Sequence, residues 1–158
     1  MIAAGIERAL LIENGEDDKV ALGVRVLRGL IGTLPAQEWR VELDGGDHSG
    51  AFLAVEAMVI GETGPRIPLA PAADPEDRLL DVVLVSDDHR GELAEYLDAR
   101  MAGFDPAPPV LTVHRCQKAV LEPVEGSPFR IDDELLPEHL VGSAEVRTRV
   151  TVEVLRPA

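Results

Sequence analysis

The sequence predicts a mainly β domain of the α+β class, an antiparallel β-sandwich or barrel-like fold with two or more peripheral helices. Three observations predict it. About seven or eight stretches read as strands against two that read as helices, and the two kinds are unevenly interleaved, which disfavours a parallel doubly wound sheet. Several of the strand stretches alternate apolar and polar residues with a period of two, the mark of a sheet with one wet face. The apolar fraction is 46%, built almost wholly from Val, Leu, Ile and Ala, with aromatics at only 3%.

Along the chain, Ala9 to Glu13 reads as a short strand, and the polar run from Glu13 to Asp18 ends in a good helix N-cap. Val20, Val24, Leu27 and Ile31 then fall at the spacing that puts one apolar stripe on a helix, which stops near Gly32 to Pro35. Trp39, Val41 and Leu43 alternate with Arg40, Glu42 and Asp44 in a strand. Asp44-Gly45-Gly46-Asp47 turns the chain into a more evenly apolar, buried strand from Ala51 to Ile60. After a Gly/Pro-rich crossing, Leu79 to Val85 is another buried strand. Asp88 is placed to cap a second helix running to Met101, with Leu93, Leu97 and Met101 on its inner face. Val110 to Val124 and Phe129 to Asp132 read as strands, and Val146, Val150, Val152 and Val154 alternate with polar residues in a closing one.

The totals narrow the function. At 158 residues the chain has the length of one domain, taken as 1–158, with no internal repeat or linker. Acidic residues number 29 against 15 basic, a formal charge of −14, which repels phosphate backbones and anionic headgroups; no nucleic-acid partner is expected. The scarcity of aromatics removes stacking platforms for single strands. Cys116 is alone, which fits a reducing compartment. The longest apolar stretch, Ala51 to Ile60, is short and holds Glu56, so no transmembrane segment is expected, and the localisation read from the sequence is cytoplasmic.

No GxxxxGK[ST] loop and no GxGxxG opening a helix is present. Gly45 to Gly50 is glycine-rich, but it lies between two strands, where a hairpin loop is the usual occupant. His48, His89, His114 and His139 have no metal-ligand spacing, and no GxSxG elbow accompanies them.

Two acidic places rise above this background. Asp74-Pro75-Glu76-Asp77-Arg78-Leu79-Leu80-Asp81 sets carboxylates and carbonyls on a short loop ahead of a buried strand, suitable for a hard cation such as Mg²⁺; a plain acidic turn is the competing reading. In Ile131-Asp132-Asp133-Glu134, a strand continuing from Phe129 would point Asp132 and Glu134 to one face, and two carboxylates that close raise the proton affinity of one of them, as a general base requires. A plain acidic strand end competes there too.

Lys19 with Leu22-Gly23, then Pro71-Ala72-Ala73, Asp77-Arg78-Leu79-Leu80-Asp81 and Asp132-Asp133-Glu134 follow one another in a definite order. In order and spacing they resemble the C-terminal domain of the bacterial diacylglycerol kinase and lipid kinase family, relatives of sphingosine kinases and more distantly of NAD kinases. The family pattern there runs through P-x-A and D-G-x-L-D to D-G-E, with Arg78 and Asp133 here standing at its glycines.

The resemblance, which covers nearly the whole chain, implies ATP-dependent phosphorylation of a lipid hydroxyl, with a lipid such as diacylglycerol as substrate. It implies a structural Mg²⁺ held by the Asp77 carboxylate with the carbonyls of Leu79 and Asp74, and it offers Asp132 and Glu134 as the base acting on the hydroxyl. In that family the triphosphate is bound by an N-terminal domain carrying a G-G-D-G-T loop, which is expected to be absent here. ATP would therefore come only through that missing domain, and the isolated chain is expected to be inactive. The partner expected is an N-terminal kinase domain or a second copy of the chain. A non-catalytic lipid-binding or assembly module derived from the family is the alternative, and a relative of NAD kinases acting on a dinucleotide is a weaker third.

Overall fold

The computed structural model describes residues 16–124, 130–131, 134–135, 143–147 and 151–155. The expected strand at Ala9 to Glu13 and residue Asp132 lie outside the described residues. The architecture is α+β and mainly β, two open antiparallel sheets and a separate two-stranded pair with two helices, and no closed barrel among the described residues.

Helix α1, Glu16–Thr33, carries the anticipated stripe, and Val24, Leu27 and Ile31 are buried on it. It begins two residues before Asp18, so that residue lies in the first turn rather than at the cap. Strand β1, Gln37–Leu43, alternates as its sequence requires, with Val41 and Leu43 buried and Glu38, Arg40 and Glu42 exposed. The turn after it holds Asp44 at φ 48° and Gly45 at φ 85°, and Leu43 pairs with Gly46 across it. Two successive positive φ values match the twist of the flanking strands, which is why Asp-Gly serves there. Short strands β2, Gly46–Asp47, and β3, Gly50–Phe52, both pair antiparallel with β1.

The stretch read as one strand from Ala51 to Ile60 is two. After Leu53 the chain leaves the first sheet, and β4, Ala54–Met58, pairs instead with β5, Leu80–Val85. The stretch from Val110 to Val124 divides in the same way at Gln117, into β6, Thr112–Cys116, beside β5, and β7, Lys118–Pro123, beside β1. Strands that change sheet at a bend make the corners of a sandwich. The short strands β8, Arg130–Ile131, and β9, Glu134–Leu135, pair with each other. The closing stretch is a hairpin of β10, Ser143–Arg147, and β11, Thr151–Leu155, with Arg147 opposite Thr151. The larger sheet runs β11-β10-β7-β1-β2, with β3 also on β1, and the smaller runs β4-β5-β6.

Two hydrophobic clusters give three layers. Between the sheets pack Val41, Leu43, Leu80, Val82, Leu84, Cys116, Ala119 and Leu121. On the other face of the small sheet, Val83 and Val85 meet Val24, Leu27 and Ile31 of α1 and Leu93, Tyr96 and Leu97 of α2, Arg90–Met101. β5 is therefore covered on both faces, and every one of its residues is buried. A strand in that position reads as a continuous apolar run, as Leu-Asp-Val-Val-Leu-Val does, with one exception at Asp81.

A 3-10 turn, Asp87–His89, leads into α2, and Ser86 rather than Asp88 precedes it, with the Ser86 amide donating to His89 Nδ1 at 3.0 Å. Leu93 and Leu97 are buried as expected, whereas Met101 is 49% exposed at the helix end. Arg90 donates to the carbonyls of Ile31 and Leu34, satisfying the last turn of α1, and a two-pronged Arg28–Asp98 pair at 2.8 and 3.0 Å ties the helices together. Among the described residues no helix is long and apolar enough to cross a membrane.

Candidate functional site: the acidic loop ahead of β5

The loop from Asp74 to Leu79 is wound by its own carboxylates. Asp74 Oδ1 accepts the Glu76 amide at 2.9 Å, and the Asp74 carbonyl accepts the Asp77 amide at 3.2 Å, closing a turn. Asp77 Oδ1 accepts the Leu79 amide at 2.7 Å. Between them Arg78 sits at φ 62°, the left-handed region that favours glycine. A left-handed turn that glycine adopts most readily is thus held here by Arg.

Asp81 follows on β5. It points to the helix-side face of the small sheet along with Val83 and Val85, and it is the one buried charged residue among the described residues, 3% exposed. Its strand neighbours are Met58 on β4 and Arg115 on β6. Arg115 is paired with Asp77 Oδ2, while its Nε stands 3.7 Å from Asp81 Oδ1, beyond hydrogen-bond reach. Asp81 Oδ2 is buried with no hydrogen-bond partner. Burial pushes the Asp81 carboxyl above its ordinary range, because loss of water disfavours the charged form.

Of the residues singled out in the sequence, the structure brings Asp74, Asp77 and Leu79 into one loop. Asp74 is exposed and Asp77 half-buried. Among the described residues no group of three or more His, Cys, Asp or Glu side chains is gathered so as to hold a metal by itself. Glu134 lies on β9, with Ile131 of β8 as its antiparallel partner, so it stands on a second strand and not on a continuation of the first. A strand running unbroken from Phe129 to Glu134 is therefore not what the pairing gives at Glu134, and Asp132 lies outside the described residues.

Sequence reasoning gave no site role to four residues that the structure brings into view. Asp81 belonged to the motif but was given no role, although a lone charge inside an apolar strand was a visible signal. Arg115 had none, since its partner is 38 residues away. His48 and His114, far apart in sequence, bring their ring centroids to 4.4 Å, and burial first and His48 second hold the His114 imidazole below its ordinary value. Gly45 to Gly50 forms the hairpin region between β1 and β3, where Asp47 Oδ1 accepts the Ser49 amide and hydroxyl at 3.0 and 2.5 Å.

A two-sheet antiparallel sandwich with a helix pair on one face and an acidic loop opening its central buried strand defines a recognisable class of domain. Residues 16–155 match the family described as the YegS C-terminal NAD kinase beta sandwich-like domain, and the chain belongs to that family. Among solved structures it is similar in fold to a putative diacylglycerol kinase from Bacillus anthracis str. Sterne, at 15% identity and TM-score 0.53, covering 92% of this chain and 47% of that one. A second structure of a putative diacylglycerol kinase from the same organism gives 16% identity, TM-score 0.52 and coverages of 92% and 47%. A diacylglycerol kinase structure from that strain gives 13%, 0.51, 73% and 38%. The chain therefore spans about half or less of the length of these structures. No curated protein matches the sequence.

Proposed function

We propose that this chain is the substrate-side domain of a diacylglycerol kinase-like lipid kinase, which phosphorylates a lipid hydroxyl with ATP when joined to a nucleotide-binding domain. The observation that carries the reading is the family match over residues 16–155 on a chain whose span is about half of the kinases it resembles. Phosphoryl transfer is mostly positioning and charge neutralisation around the triphosphate, and this sequence has no phosphate-loop motif to supply them. The donor is assigned to an N-terminal kinase domain and the lipid, diacylglycerol being the reference case, to this one.

Within that reading Asp132 and Glu134 are the candidates to take the proton of the lipid hydroxyl, a role in which one carboxylate is kept basic by the other. Mg²⁺ is assigned to the loop ahead of β5, with the Asp77 carboxylate and the carbonyls of Leu79 and Asp74 as its holders. The residues present fit a hard cation in one respect that the sequence did not show: Asp81 Oδ2 is a buried carboxylate oxygen without a partner, beside Asp77. A cation there would supply positive charge to that carboxylate pair and hold the loop.

The test is reconstitution. The chain mixed with, or fused to, the nucleotide-binding half of a bacterial diacylglycerol kinase is expected to transfer phosphate from ATP to diacylglycerol, and neither half alone is. Asp132→Asn with Glu134→Gln should then cut turnover by about 10²–10⁴-fold, the usual contribution of a positioned base, with lipid binding retained. Failure of every such pairing to turn over, with lipid binding intact, would favour the non-catalytic lipid-binding or assembly module, a reading supported by Arg115 already standing on Asp77.

A further inference from the structure

Two carboxylates, Asp77 and Asp81, converge on one guanidinium. The guanidinium favours Asp77, since Asp81 is served only across 3.7 Å and by one oxygen, and the other oxygen of Asp81 has no partner. Its neighbours in the sheet on that face bring no donor: the one on β4 is Met58, buried and apolar, and the next residue on the same face of β5 is Val83, buried as well. Arg115 cancels one of the two negative charges and leaves the other. A divalent cation would cancel both, but Asp77 Oδ1 already accepts the Leu79 amide and Oδ2 is taken by Arg115, so a cation that binds the Asp77 carboxylate has to displace the guanidinium.

We propose that Arg115 and a divalent cation are alternative occupants of the Asp77–Asp81 carboxylate pair, so that the guanidinium sets how readily the site takes Mg²⁺. The inference rests on the Mg²⁺ reading above and adds a residue that tunes it. Arg115 is half exposed, so its side chain can swing into water without opening the core, whereas Asp81 cannot move away. When the cation is scarce, Arg115 holds the loop against β6; when the cation is abundant, the loop is held by the cation and Arg115 is released.

The experiment is a Mg²⁺ titration of the chain at fixed ionic strength, read by isothermal titration and by the shift in melting temperature, for wild type, Arg115→Gln and Arg115→Lys. Fixed ionic strength keeps screening from being read as binding. Removing the competitor is expected to lower the half-saturating Mg²⁺ at least tenfold in Arg115→Gln. Arg115→Lys, which keeps the charge but loses the planar fork, is expected to fall between. Adding Asp81→Asn to Arg115→Gln should abolish the gain. Saturation by wild type with no change in either variant overturns the competition and leaves the Mg²⁺ reading standing. Absence of a saturable response in all three overturns both, and places the fault in the Mg²⁺ reading. If Arg115→Gln does not fold, Arg115→Lys decides alone, with an unchanged midpoint as the contradicting result.

Discussion

Two turns that begin and end in aspartate, Asp44 to Asp47 and Asp74 to Asp81, are put to different uses by the same part of the fold. Both reach the corner where β6 becomes β7. The first ends there in backbone: Asp44 Oδ1 and Oδ2 each accept the Gln117 amide at 3.1 Å, and Oδ1 also accepts the Lys118 amide at 2.9 Å. The second ends there in a side chain, Arg115, shared between two carboxylates and short by one charge. A carboxylate satisfied by amides is a clamp for the sandwich corner. One buried with an oxygen that has no partner is the feature the proposed cation would answer.

The contrast is broken most directly by removing the clamp. Asp44→Ala should destabilise the chain by about 2 kcal/mol, the scale of hydrogen bonds to a charged group, as read by urea unfolding. Asp44→Gly should recover about 1 kcal/mol of that loss because of the positive φ, yet remain below wild type. A neutral Asp44→Ala would remove the clamp reading.

At the other turn the same change of residue type has the opposite sign. Arg78 holds φ 62° with an exposed side chain, so Arg78→Gly should stabilise by about 0.5–1 kcal/mol, relief of left-handed strain less the extra freedom of glycine when unfolded. A loss of stability in the same urea assay would show that Arg78 does more than occupy a turn.

The smallest effect is in proton affinity. Burial raises the Asp81 carboxyl above 3.8, so Asp81 adds stability that is full below pH 3.8 and is lost as pH rises through its folded value. The Ser49 hydroxyl, then its amide, holds the Asp47 carboxyl below 3.8, so its contribution is present above pH 3.8 and is lost as pH falls through its folded value. A carboxyl-carbon NMR titration should place the two midpoints on opposite sides of 3.8. The reverse order would contradict the difference between the turns.

Much of this was legible in residues whose neighbours along the chain decide their place. The stripe on α1, the alternation of β1, the Asp-Gly turn and the doubly buried β5 all follow from periodicity. What escaped was decided across space. Leu53 and Gln117 are neither Gly nor Pro, and nothing local marks them as the points where a strand changes sheets. Met101 continues the inner stripe of α2, but the helix ends there, beyond the core it would have met. At the site, the D-x-L-L-D loop stood out by composition, whereas Arg115 is supplied by a strand pairing that no spacing announces.

The central claim is that this chain provides the substrate side of a phosphotransfer enzyme and not the nucleotide side. The most direct measurement is a calorimetric titration of the isolated chain with ATP in excess Mg²⁺, so that any cation site is already filled. The account predicts no saturable heat up to millimolar ATP. Stoichiometric, saturable binding of ATP to the lone chain would contradict it.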